Sequence, residues 1–186
     1  VKSGNEILNF TGAKGIFVSE NGEMYISDTD NGRVLKTDLN GVLLKEFTVP
    51  DSALIPEGFE FRPMKTAVDK REYVYILCDG SYYGAILYSP EDEFLGFYGS
   101  NTTGGGILQA FEIIFNKLFM TNSKLSKTES KLPFQITDLY MDSRNFVYTC
   151  TGRTETDTLQ TGQIRRFSPG GIMTEDTGAI NFADAD

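Results

Sequence analysis

Three stretches of the 186-residue chain can be laid over one another: 15–28 (GIFVSENGEMYISD), 65–78 (KTAVDKREYVYILC) and 138–151 (DLYMDSRNFVYTCT). Tyr25, Tyr75 and Tyr148 fall in register. A repeated segment of this size cannot bury its apolar side chains alone and has to stack on its neighbours, so the repeat limits the architecture more than any single motif does. Within each stretch a β-branched and aromatic run leads into a polar turn (Glu20-Asn21-Gly22, Lys70-Arg71-Glu72, Ser143-Arg144-Asn145) and then a second run that reaches the tyrosine. That is a hairpin pattern. A third run follows in each case (33–37, 84–88 and 163–167), then a turn (38–41, 89–92 and 168–171) and a short fourth run (42–47, 93–98 and 172–174).

Four antiparallel strands in a unit of roughly forty residues is the pattern of a β-propeller blade. The expected organisation is all-β, with a blade over 14–49, a second over 61–99, a third over 134–175 and the first strand of a further blade over 178–185. The spacing from the second tyrosine to the third is 73 residues rather than the 50 from the first to the second, and the excess falls at 104–132. There Ile107, Leu108, Phe111, Ile114, Phe115, Leu118 and Phe119 recur at helical steps after Gly104-Gly105-Gly106, which predicts an amphipathic helix inserted between blades, packed on the propeller or docking a partner. A short second helix over 122–130 and a stop at Pro133 complete that expectation.

A propeller protects its strand edges by closing into a ring, typically of four to eight blades. Three blades and one strand do not close one. The expectation is that this sequence is part of a longer protein, or that other copies or partners complete the ring. Composition narrows the function classes. With 17 Lys and Arg against 26 Asp and Glu the net charge is −9, the wrong sign for holding phosphates, so nucleic acid is not an expected partner. The absence of histidine removes Ser/His/Asp triads, Cys/His dyads and ordinary zinc sites together. No run of apolar residues is long enough to span a bilayer, and no leader pattern opens the sequence. Cys78 and Cys150 sit in apolar runs on different units and are expected to be buried, unpaired core thiols.

The stretch Asp28-Thr29-Asp30-Asn31-Gly32-Arg33-Val34-Leu35-Lys36-Thr37-Asp38 resembles the NHL repeat, whose hallmark is Asp-Thr, an Asn, then Arg-Ile or Arg-Val before a strand ending near Asp and Gly. The corresponding loops of the other two units, Asp79-Gly-Ser-Tyr-Tyr-Gly84 and Gly152-Arg-Thr-Glu-Thr-Asp157, depart from it. The wider layout is similar to bacterial NHL proteins in which the propeller often precedes a Yip-like membrane domain. The resemblance implies a six-bladed propeller, exposed outside the cytoplasm or at the cell surface, with no defined catalytic activity and no cofactor.

Propeller ligands gather where the innermost strands begin, which puts Gly15, Lys65 and Asp138 first among candidate site residues. Lys65 and Asp138 admit two readings: contacts to a polar ligand, or an inter-blade ion pair. Tyr82 and Tyr83, flanked by Gly80 and Gly84, are candidates for a protein, peptide or carbohydrate ligand, or for packing on the insertion. Asp69, Asp142 and Ser19 occupy one equivalent turn position and are expected to bond their own turns, as Asp28, Asn31 and Arg33 are expected to fix their loop. Gly22, Gly41 and Gly171 are expected at positive φ. No catalytic or metal-ligating residue stands out. The function expected is non-enzymatic binding or scaffolding, the alternative being a metal-dependent hydrolase of the gluconolactonase-like propeller type.

Overall fold

A computed structural model describes residues 1–4, 6–81, 83–99, 135–151, 161–177 and 180–181. The chain opens with a two-stranded hairpin, β1 (Lys2–Ser3) and β2 (Glu6–Ile7), which sequence patterning did not suggest. It is tied to the first sheet by the Lys2 N–H donating to the Gly41 carbonyl at 2.7 Å.

Three four-stranded antiparallel sheets follow in chain order. The first contains β3 (Gly15–Val18), β4 (Glu23–Asp28), β5 (Arg33–Asp38) and β6 (Leu43–Phe47). The second contains β7 (Pro63–Val68), β8 (Val74–Cys78), β9 (Ala85–Tyr88) and β10 (Phe94–Tyr98). The third contains β11 (Ile136–Met141), β12 (Val147–Thr151), β13 (Thr161–Phe167) and β14 (Met173–Asp176). In each sheet these four strands form a simple meander, so their order in space is their order in sequence. The register agrees with the repeat: Phe17 opposes Tyr25, Ala67 opposes Tyr75 and Tyr140 opposes Tyr148.

The sheets stack face to face through two apolar layers. Tyr25, Val34 and Phe47 of the first sheet meet Val74, Ile76, Cys78, Ile86 and Tyr88 of the second. The opposite face of the second sheet, with Ala67, Tyr75, Leu77, Ala85 and Tyr98, meets Ile136, Leu139, Val147 and Phe167 of the third. This explains why β8 reads as an unbroken apolar run rather than an alternating one: it is covered on both sides and buried at every position. Each fully buried aliphatic or aromatic side chain contributes roughly 1.5–3 kcal/mol.

Two turns per unit demand a left-handed residue. Gly22 and Gly41 supply it in the first unit and Gly171 in the third, as their chemistry predicts. At the equivalent positions the chain instead carries Glu72, Asp92 and Asn145, at φ 68, 64 and 64. Each of these side chains reaches the preceding unit. Asn21 Nδ2 donates to Glu72 Oε1 at 2.7 Å, Lys45 Nζ lies 3.4 Å from Asp92 Oδ2, and the Lys70 N–H donates to Asn145 Oδ1 at 3.2 Å. The conformational cost of a non-glycine residue there is set against a stitch that glycine cannot make.

Several expectations meet the structure differently. The inserted helices expected within 104–132 lie outside the described residues, as does Tyr82. Cys78 is buried as expected, but Cys150 is only half-buried, because it lies on the face of the third sheet turned away from the second. Of the segment 178–185, expected to open a further blade, the described part is β15 (Ile180–Asn181). It pairs with Thr161 and Gly162 of β13, after Thr177 donates its backbone N–H to the Ile164 carbonyl and holds the chain against that strand.

Candidate functional site

The inner strands β3, β7 and β11 lie beside one another, and the described residues Pro56 to Glu60, Asp79, Gly80 and Tyr83 gather at the end of the stack where these strands begin. Gly15 belongs there for steric reasons: a Cβ at that position would run into the Met64 carbonyl oxygen of the second unit. Next to it, Ser27 Oγ and Thr66 Oγ1 form a buried hydrogen bond of 3.1 Å, and Thr29 Oγ1 donates to the Pro63 carbonyl at 2.6 Å.

Around these contacts the charged side chains at this end pair across the unit boundaries. Lys65 Nζ lies 3.1 Å from Asp138 Oδ1, Lys14 Nζ 3.7 Å from Asp79 Oδ2, and Arg62 Nη2 2.9 Å from Asp30 Oδ1. The sequence-predicted candidates Lys65 and Asp138 are therefore brought together, in the ion-pair arrangement that was one of their two readings. All six groups are roughly two-fifths to one-half exposed, so each pair contributes at most about 1 kcal/mol and is open to exchange with a charged ligand. Lys14, Asp30, Arg62 and Asp79 were not identified from sequence. Their partners lie at no common spacing, so the sequence carried no signal for them.

Tyr83 stands beside a shallow cleft formed with Pro56, Glu57, Gly58, Phe59, Glu60 and Asp79. Its ring is 6.5 Å from that of Phe59 and 5.5 Å from that of Phe97. Partial burial pushes its hydroxyl above the ordinary tyrosine range. Phe59 was not singled out beforehand; its loop has no repeat counterpart.

At the opposite end the first turns of the three units converge. Asp69 Oδ1 accepts the N–H groups of Arg71 and Tyr73, Asp142 Oδ1 accepts those of Arg144 and Phe146, and Ser19 Oγ accepts that of Glu23. These are the turn bonds expected of those residues. The carboxylates also accept from the repeat tyrosines, Tyr75 to Asp69 and Tyr148 to Asp142, both at 3.4 Å. Burial raises the Tyr75 hydroxyl, and the Asp69 charge adds to it.

The loop that resembles the NHL hallmark is likewise internally satisfied. Buried Asp28 accepts the Thr11 N–H at 2.7 Å, Asn31 Nδ2 at 2.8 Å and Arg33 Nε at 2.9 Å. Burial alone would raise its carboxyl, but these donors and the Arg33 charge outweigh it and hold the group below the ordinary carboxylate range. Among the described residues no three acidic or thiol side chains are placed to hold a metal ion.

No protein-family profile matches the chain, and no curated protein matches it by sequence. Solved structures do match by shape. A streptogramin B lyase superimposes with a TM-score of 0.53 at 12% identity, over 97% of this chain and 44% of that one. Three stacked meanders on that framework decide the architecture. The fold is a partial β-propeller. Virginiamycin B lyase from Staphylococcus aureus matches with a TM-score of 0.50 at 11% identity, over 94% of this chain and 42% of that one. A calcium-binding protein, regucalcin, from Agrobacterium tumefaciens matches with a TM-score of 0.50 at 14% identity, over 90% and 43%. This propeller segment thus spans less than half the length of these neighbours, and the likeness concerns fold alone.

Proposed function

We propose that this chain is the propeller portion of a larger, extracytoplasmic bacterial protein of the NHL type, and that it works as a non-enzymatic binding surface. One observation supports this above the others: the charged candidates at the inner-strand end are engaged with one another across unit boundaries, Lys65 with Asp138 foremost, rather than grouped around a reacting centre. Without histidine, a nucleophile would need a carboxylate or amine base beside it, and Asp69 and Asp142 at one end and Lys65, Asp138, Lys14, Asp79, Arg62 and Asp30 at the other already serve turns and unit contacts. The ligand-contacting set proposed is Lys65, Asp138 and Tyr83, with Tyr82 joining it on sequence grounds. The ligand is a peptide or carbohydrate that lays an apolar face on Tyr83 and Phe59.

Binding and turnover separate this reading from the metal-dependent hydrolase. Peptide and glycan arrays probed with the purified chain should give saturable binding that Tyr83→Ala weakens, with no lactone hydrolysis and no rise in melting temperature on adding calcium or zinc. Metal-dependent, saturable lactone hydrolysis would replace binding with catalysis.

A further inference from the structure

Lys65, Lys14 and Arg62 each meet one carboxylate at the end of the stack where the inner strands begin. The cleft beside Tyr83 holds more acid than these bases neutralise. Its lining carries Glu57, Glu60 and Asp79, and no basic side chain among the described residues. Asp79 faces Lys14 in a loose pair at 3.7 Å. Glu57 and Glu60 are exposed and make no ion pair among the described residues. Arg62, two positions from Glu60, is turned to Asp30 instead, at 2.9 Å.

The aromatic side of the cleft is preformed. Phe97, 3% exposed, stands behind both rings, 5.5 Å from that of Tyr83 and 6.1 Å from that of Phe59. The Phe59 N–H donates to the Pro56 carbonyl at 3.0 Å, and the Asp79 N–H donates to the Arg62 carbonyl at 2.8 Å, which ties together the two loops that form the cleft. A cleft held in shape before binding loses less freedom when it is filled.

A cation is the group that gains from both sides. An aromatic face attracts it through the ring quadrupole, and an unpaired carboxylate attracts it through charge. A neutral sugar could stack on the rings but would draw nothing from Glu57 and Glu60, and an anion would be repelled by them. A guanidinium fits best, because its planar fork stacks on rings and donates to carboxylates in pairs.

We propose that the Tyr83 cleft binds a basic peptide segment, seating one arginine side chain against Tyr83 and Phe59 with its guanidinium toward Glu57 and Glu60. The inference rests on the reading of this end as a binding surface and narrows its ligand to positively charged peptides.

The probe is a rhodamine-labelled octapeptide of glycine and serine around a central Leu-Arg pair. Fluorescence anisotropy compares it with the same peptide carrying citrulline, which keeps the shape of arginine without its charge. The arginine peptide should bind roughly tenfold more tightly than the citrulline peptide, and its affinity should fall as salt is raised from about 50 to about 500 mM. Combining Glu57→Gln with Glu60→Gln should weaken it roughly tenfold, since an exposed charge pair is worth up to a factor of about five. Tyr83→Phe keeps the ring and should bind within about twofold of wild type. Equal affinity for the arginine and citrulline peptides, or no loss in the double glutamine variant, overturns the proposal while leaving a binding surface in place. Failure of every peptide and glycan to bind removes the binding surface itself, and the proposal with it.

Discussion

Tyr75 and Tyr148 are the same residue at the same register, each with its hydroxyl on the aspartate of its own turn, yet truncating them should have very different costs. Tyr75 is 1% exposed, with its ring 4.9 Å from that of Tyr98, in the layer that joins the second and third sheets. A buried tyrosine removes about 150–250 Å² from water, and at about 25 cal/mol per Å² this is about 4–6 kcal/mol. Truncations of large aromatics in cores cost about 3–5 kcal/mol, which agrees. Tyr148 is only half-buried, with no sheet over it among the described residues, so Tyr148→Ala should cost less than half as much in this chain. Because no tryptophan is present, urea unfolding is best followed by far-UV circular dichroism, comparing midpoints at constant slope. Should Tyr75→Ala prevent folding, Tyr75→Phe serves instead: it removes the hydroxyl from Asp69 and should cost about 1 kcal/mol. Equal losses for Tyr75→Ala and Tyr148→Ala would refute the claim that stacking of successive sheets, rather than position within a sheet, stabilises each unit.

Gly15→Ala should destabilise by about 1–3 kcal/mol, because the added methyl must displace the Met64 backbone; an unchanged melting temperature would show that β3 and β7 do not approach as closely as described. Asp28 has its carboxyl pKa lowered on folding, so its stabilisation is fully present above the unfolded value of about 3.9 and is lost as pH falls through the lower folded value. The advantage of the wild type over Asp28→Asn in urea midpoint should therefore shrink as pH falls from about 5 to about 2, and a constant difference would show that Asp28 gains nothing from its charge.

The repeat was legible in the sequence because it is written in local chemistry. Alternation, turn residues and the tyrosine period each depend on neighbours within a hairpin, so the strands of all three units and the turn roles of Ser19, Asp69 and Asp142 could be read from order alone. The NHL-like loop was legible for the same reason: Asp28, Asn31 and Arg33 bond one another within a few residues.

Contacts between units were not written that way. Glu72, Asp92 and Asn145 look like ordinary turn residues until the preceding sheet places Asn21, Lys45 and the Lys70 N–H against them. The pairs of Lys14 with Asp79 and Arg62 with Asp30 join groups far apart in sequence with no repeating offset. Lys65 and Asp138 could be named from their equivalent positions, yet only the stacking of β7 beside β11 sets Lys65 Nζ 3.1 Å from Asp138 Oδ1. Cys78 and Cys150 show the same division. Both lie in apolar runs, but burial of a sheet face requires another sheet upon it, and the third sheet's outward face has none among the described residues.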